Sequence, residues 1–145
     1  MSKIFLEQCS MAGEGRIMGT RSNVYVETEP GTYIGTYCHY DGYPSHMCPT
    51  LALIDNDKLA AQIFIAAPQG GFRVIHATNA TEYLGDYTYS CLLENPQMED
   101  LGPDYVYIKC LDGRVKWRDT YAQACEEDYG EEDLGWRFTY EPASL

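Results

Sequence analysis

From Asn23 to Glu29 apolar and polar residues alternate, the two-residue period of a strand with one buried face. Pro30-Gly31 then gives a turn signal, and Thr32 to Tyr40 is a second run rich in Thr, Tyr and Ile. Together they predict a β-hairpin. Asp41-Gly42 and Pro44 end it, and the period changes. Ser45 is placed to cap a helix from His46 to Ile54, with Pro49 tolerable in its first turn. Asn56 is placed to cap a second helix, Asp57 to Ala67, whose Leu59, Ile63 and Ala66 fall on one face. Pro68-Gln-Gly-Gly71 stops it.

Strand character returns at Phe72 to Ala77 and, more weakly, at Asp86 to Leu93. Glu94 to Pro103 reads as a loop. Tyr105 to Leu111 and Arg114 to Arg118 flank Asp112-Gly113, the strongest hairpin signal in the chain. Thr120 to Asp128 suits a short helix, and Trp136 to Tyr140 an edge strand. These elements predict an α+β fold: an antiparallel, Tyr-rich sheet with two helices inserted after the first hairpin.

Residues 1–17 differ from the rest. Gly13-Glu14-Gly15 corresponds to purine-rich codons resembling a bacterial ribosome-binding site ahead of Met18. The expectation is a leader over 1–17, disordered or not native, and a single domain over 18–145. That length supports a core without metal or disulfide staples. The longest apolar run, Leu59 to Pro68, is broken by Gln62 and is too short to cross a bilayer. The six cysteines form no CxxC pair, so reduced thiols in a cytoplasm are expected.

Charge narrows the partners. A formal net charge of −12 repels phosphate backbones and anionic lipid, so direct DNA or RNA binding and membrane association are not expected. Much of it lies in Glu126-Glu-Asp-Tyr-Gly-Glu-Glu-Asp133, which reads as a solvated segment or as an imitation of nucleic acid. The chain has 13 Tyr against 4 Phe and 2 Trp, an excess that suits half-buried strand faces and recognition surfaces. A tyrosine-rich edge also permits a homo-oligomer.

The densest chemistry is Tyr37-Cys-His-Tyr-Asp-Gly-Tyr-Pro-Ser-His46, where a strand ends and a helix begins. Three readings apply. Cys38, His39, His46 and Cys48 have zinc-ligand types, but neighbours on a strand point to opposite faces, so no metal is expected. His39 or His46 could act as a base oriented by Asp41, with Cys38 or Cys48 as nucleophile, as in a small hydrolase. No hydrolase elbow, phosphate loop or kinase motif supports this, so neither an enzyme nor a cofactor is the expectation. The third reading is structural or recognitional: either Asp41 to Pro44 is only a turn, with His39 and His46 satisfying nearby backbone groups, or it carries a ligand-binding lip of Arg21, Asn23, His39, Tyr40, Asp41, Tyr43, His46 and Arg73. Thr20-Arg-Ser-Asn23 joins it only if it packs beside the turn. Gly70-Gly71 with Arg73 could cradle a phosphate, or merely stop a helix.

Gly19-Thr-Arg-Ser-Asn-Val-Tyr-Val26 followed by Tyr37 to His46 resembles a set of small proteins encoded by bacteriophages and prophages. Gly70-Gly-Phe-Arg73, Thr81-Glu-Tyr83 and Asp104-Tyr-Val-Tyr-Ile108 are similar too, so the resemblance spans most of residues 18–118. It implies a context, not an activity: a phage accessory protein in a host bacterial cytoplasm. Counter-defence then has two routes. One is sequestration of a nucleotide-type signal, its base on Tyr37, Tyr40 or Tyr43 and its phosphates on Arg21 and Arg73. The other is acidic inhibition of a host defence protein.

Overall fold

The computed structural model describes residues 20–77, 81–96, 103–120 and 136–140. The leader expected over 1–17, most of the helix expected from Thr120, and the acidic run Glu126 to Asp133 lie outside these residues. Within them the order is β1 (Ser22–Glu29), β2 (Thr32–Cys38), α1 (Pro44–Ala52), α2 (Asn56–Ala66) with a 3-10 turn at Ala67–Gln69, and β3 (Phe72–Val74). Then come β4 (Glu82–Tyr83), β5 (Tyr105–Lys109), β6 (Val115–Asp119) and β7 (Arg137–Tyr140). The strands form one seven-stranded sheet ordered β4-β3-β2-β1-β5-β6-β7.

The fold is α+β, with both helices following the first hairpin, but the sheet is mixed, not antiparallel. β1 pairs with β2, β3 with β4, β5 with β6 and β6 with β7 antiparallel, whereas β2–β3 and β1–β5 are parallel. The reason is connection length. The helix pair between β2 and β3 is long enough to carry the chain back, so β3 starts from the same end as β2. The stretch from β4 to β5 does likewise for β5 beside β1. Tyr25, Tyr33, Tyr37, Tyr83, Tyr105 and Tyr107 stand on the strands.

Strand alternation sorts the faces. Val24, Val26, Ile34, Cys38, Tyr107 and Val115 meet Met47, Cys48 and Leu51 of α1 and Leu59, Ile63 and Ala66 of α2 in the main core. On the other face Tyr25, Val106, Ile108 and Cys110 form a smaller cluster against Tyr33, Leu93 and Trp136. The segment before β5 lies across that face: Leu93 bridges to Gly35, and the Asn95 carbonyl accepts the Tyr25 hydroxyl. The strand expected over Asp86 to Leu93 is therefore reduced to this one bridge, with β4 ahead of it at Glu82–Tyr83.

The helix caps also depart from expectation. α1 begins at Pro44, with Tyr43 as the extended residue before it and no side-chain cap from Ser45. A proline at the first helical position explains both, since it loses no intrahelical bond there and forces its predecessor to be extended. Pro49 consequently lies inside the helix rather than in its first turn. Asp55, not Asn56, precedes α2, and Asn56 Nδ2 instead donates to the Cys110 carbonyl at 2.9 Å. Lys109, 2 % exposed, donates from Nζ to the carbonyls of Leu51 (2.8 Å) and Ala52 (3.2 Å) at the end of α1. Burial pushes its pKa down, and a cation at a helix C-terminus offsets part of that cost. Among the described residues no helix is long and apolar enough to cross a membrane.

Two outcomes test this packing. At Gly35 an added methyl would stand 2.5 Å from Tyr25 Cδ2 and 2.6 Å from the Val24 carbonyl oxygen. Gly35→Ala should therefore cost about 1–3 kcal/mol, seen as a lower urea midpoint; an unchanged midpoint would move the Tyr25 ring off Gly35. Burial raises the Cys38 thiol and the Tyr105 phenol each to about 12. The unfolded chain ionises these groups earlier, so their stability contribution is complete below their ordinary values and lost as pH rises to about 12. Stability that stays flat across this alkaline range would contradict their burial.

Candidate functional site

The chain leaves the sheet after Cys38, yet its backbone stays tied to β3. His39 N donates to the Phe72 carbonyl at 3.0 Å and Tyr40 N to the Arg73 carbonyl at 2.9 Å. Asp41 then turns the chain at φ 58°, the left-handed region that Asp tolerates better than most side chains. Gly42 follows because nothing larger fits: an added methyl would lie 2.9 Å from Ser22 Oγ and 3.0 Å from the Thr20 carbonyl oxygen. Gly42 N donates to that same Thr20 carbonyl at 3.1 Å, while its own carbonyl accepts the buried Tyr107 hydroxyl at 2.5 Å. Asp41, Gly42 and Pro44 thus each have a geometric reason. The Thr20 segment does pack beside the turn.

The turn places a string of aromatic and basic side chains at the end of the sheet where β2 and β3 finish. The Tyr37 hydroxyl and His39 Nδ1 are hydrogen-bonded at 2.7 Å. The His39 and Tyr40 rings meet edge-on, centroids 4.4 Å apart. The Arg73 guanidinium lies 5.1 Å from the Tyr40 centroid, a cation–π contact. Arg73 Nε and His76 Nε2 are each 3.7 Å from an oxygen of Glu82. The His76 and His46 rings are 6.3 Å apart, with Tyr43 6.1 Å beyond His46. His46 Nε2 and the Ile75 carbonyl, 2.8 Å apart, tie α1 to the residue after β3. All three histidines of the chain are here.

The expected lip is therefore assembled in part. His39, Tyr40, Tyr43, His46 and Arg73 belong to one continuous string, and Asp41 shapes the turn beneath it. Arg21 is exposed and fixed through its backbone: its N–H donates to Asp104 Oδ2 at 3.1 Å. Its charge reaches Tyr37, where it opposes the larger effect of burial, which raises the phenol pKa. Asn23 is buried in β1 directly across from Tyr37, so the two side chains leave the same face of the sheet. His76 and Glu82 were not among the expected residues. Both depend on the short β3–β4 pairing, Val74 opposite Glu82, which no periodic pattern announces.

The other candidate groups are placed differently. Cys38 and Cys48 lie in the main core, and burial pushes the Cys38 thiol up to about 12, which disfavours the thiolate that a nucleophile needs. A tyrosine hydroxyl, rather than the expected Asp41, orients His39. Among the described residues no three His, Cys, Asp or Glu side chains converge to hold a metal. Gly70 and Gly71 are no phosphate cradle, because their N–H groups bond the carbonyls of Ala67 and Ala66 and end the helix. Gly70 adopts φ 86° to do so.

Compared with known proteins, the chain matches no family model, no curated protein and no solved structure.

Tyr107→Phe tests the anchor of the turn. It leaves the Gly42 carbonyl without its buried donor, and should cost about 1–3 kcal/mol while loosening residues 39–43 in hydrogen exchange. Unchanged exchange there would mean that the Thr20–Gly42 contact alone fixes the turn.

Proposed function

We propose that this is a phage accessory protein that acts in the host bacterial cytoplasm by binding and sequestering a small nucleotide-type signal. The observation that carries this reading is the Arg73 guanidinium over the Tyr40 ring, beside the hydrogen-bonded Tyr37–His39 pair. Aromatic faces stack on bases, and guanidinium and imidazole groups meet phosphate. The location supports it as well, because ligands of open sheets with helical crossovers favour the carboxyl ends of strands. The net charge of −12 opposes anion binding at long range, but over about 8 Å physiological salt screens it, and direct contact with Arg73 then counts for more.

The test is to incubate the protein with cyclic nucleotides and NAD-derived signals, filter, heat-denature, and analyse both fractions by mass spectrometry. Sequestration predicts one compound depleted from the filtrate and returned intact after heating. Tyr40→Ala should weaken its retention roughly 5- to 150-fold, given about 1–3 kcal/mol for stacking on one base. A compound returned altered would make the protein an enzyme, with His39 and Asp41 the first residues to substitute. If every compound stays free and intact, sequestration is refuted, and an acidic inhibitor of a host defence protein becomes the reading to pursue.

A further inference from the structure

Glu82 divides its carboxylate between a guanidinium and an imidazole. One oxygen lies 3.7 Å from Arg73 Nε and the other 3.7 Å from His76 Nε2. Two oxygens facing two donors is the arrangement that a phosphate group of a bound ligand would adopt. The carboxylate is brought there by backbone pairing, since β4 sets Glu82 directly opposite Val74. The grip is loose. Both contacts exceed the 2.7–2.9 Å typical of a charge-assisted hydrogen bond, and the Arg73 and Glu82 side chains are 51 % and 54 % exposed. Exposed pairs of this kind contribute little and are readily exchanged. Tyr40, meanwhile, flanks the guanidinium, so Arg73 stays positioned when the carboxylate leaves.

We infer that Glu82 is an internal stand-in for the ligand's anionic group, displaced when a phosphate arrives. The inference rests on the proposed function and deepens it. A ligand must outcompete a tethered single negative charge, so the site selects nucleotides bearing a phosphomonoester or pyrophosphate over neutral nucleosides. Glu82 thereby acts as a specificity-determining residue: it sets a charge threshold for entry.

Calorimetric titration of AMP, inorganic phosphate and adenosine into wild type, Glu82→Gln, Glu82→Lys and Arg73→Ala tests this. Glu82→Gln should tighten AMP binding roughly two- to fivefold at low salt, the range of an exposed ion pair, and Glu82→Lys should tighten it further. The gain should shrink at physiological salt, adenosine should be unaffected, and Arg73→Ala should abolish the effect. AMP binding that depends on Arg73 but is unchanged or weakened in Glu82→Gln overturns the stand-in role and leaves the proposed function intact. Binding of neither AMP nor phosphate to wild type or to either Glu82 variant also overturns it. The signal panel then decides separately whether sequestration stands.

Discussion

Strand β5 holds helix α1 at both ends, and the candidate site depends on that grip. Tyr107 and Lys109 are two residues apart, so they project to the same face of the sheet. The Tyr107 hydroxyl takes the Gly42 carbonyl just before the helix, and the Lys109 ammonium takes the Leu51 and Ala52 carbonyls at its end. Both polar tips are deep in the core, where an unmade hydrogen bond is expensive. The helix can shift along the sheet only by breaking one of them. The chain entering it, His39 to Tyr43, is thus located by a strand far away in sequence.

Within that frame the surface string from Tyr37 to Tyr43 mixes rigid and adjustable parts. The turn is crowded and bonded on both sides, whereas Arg73, Glu82 and His76 are joined only by long, exposed contacts. Rigid aromatic groups beside replaceable ionic ones suit recognition, in which a pre-set surface exchanges one partner for another. The acidity of the chain as a whole does not prevent a single guanidinium such as Arg73 from meeting an anion here, because charge acts locally in salt.

Much of the local structure was legible in the residues, and the long-range pairing was not. The β1–β2 hairpin follows from alternation and Pro30-Gly31, and the buried stripe Leu59, Ile63 and Ala66 follows from helical spacing. The parallel β1–β5 and β2–β3 pairs escape such reading, since a two-residue period is the same in either direction. α1 starts at Pro44 and not after Ser45, a good cap in isolation, because Pro44 fixes the first helical position. In the site, the junction at Asp41-Gly42 was visible as a cluster of chemistry, and Arg73 was singled out with it. His76 and Glu82 were not, because what brings them together is a two-residue strand with no pattern of its own.

The parallel pairing of β1 with β5 has a consequence for how the molecule comes into being. The bond from the Arg21 N–H to Asp104 at the mouth of that pair closes across 83 positions, so the middle of the sheet is assembled from distant parts of the chain. Loop-closure entropy of that kind slows folding and postpones its reward. During synthesis the first hairpin and both helices emerge before β5 exists to bind them. Until it does, α1 lacks its Tyr107 and Lys109 anchors and has only the ties that β3 and the Thr20 segment supply. The middle of the sheet, and with it both β5 anchors of α1, is therefore set only once the chain beyond residue 104 has been made.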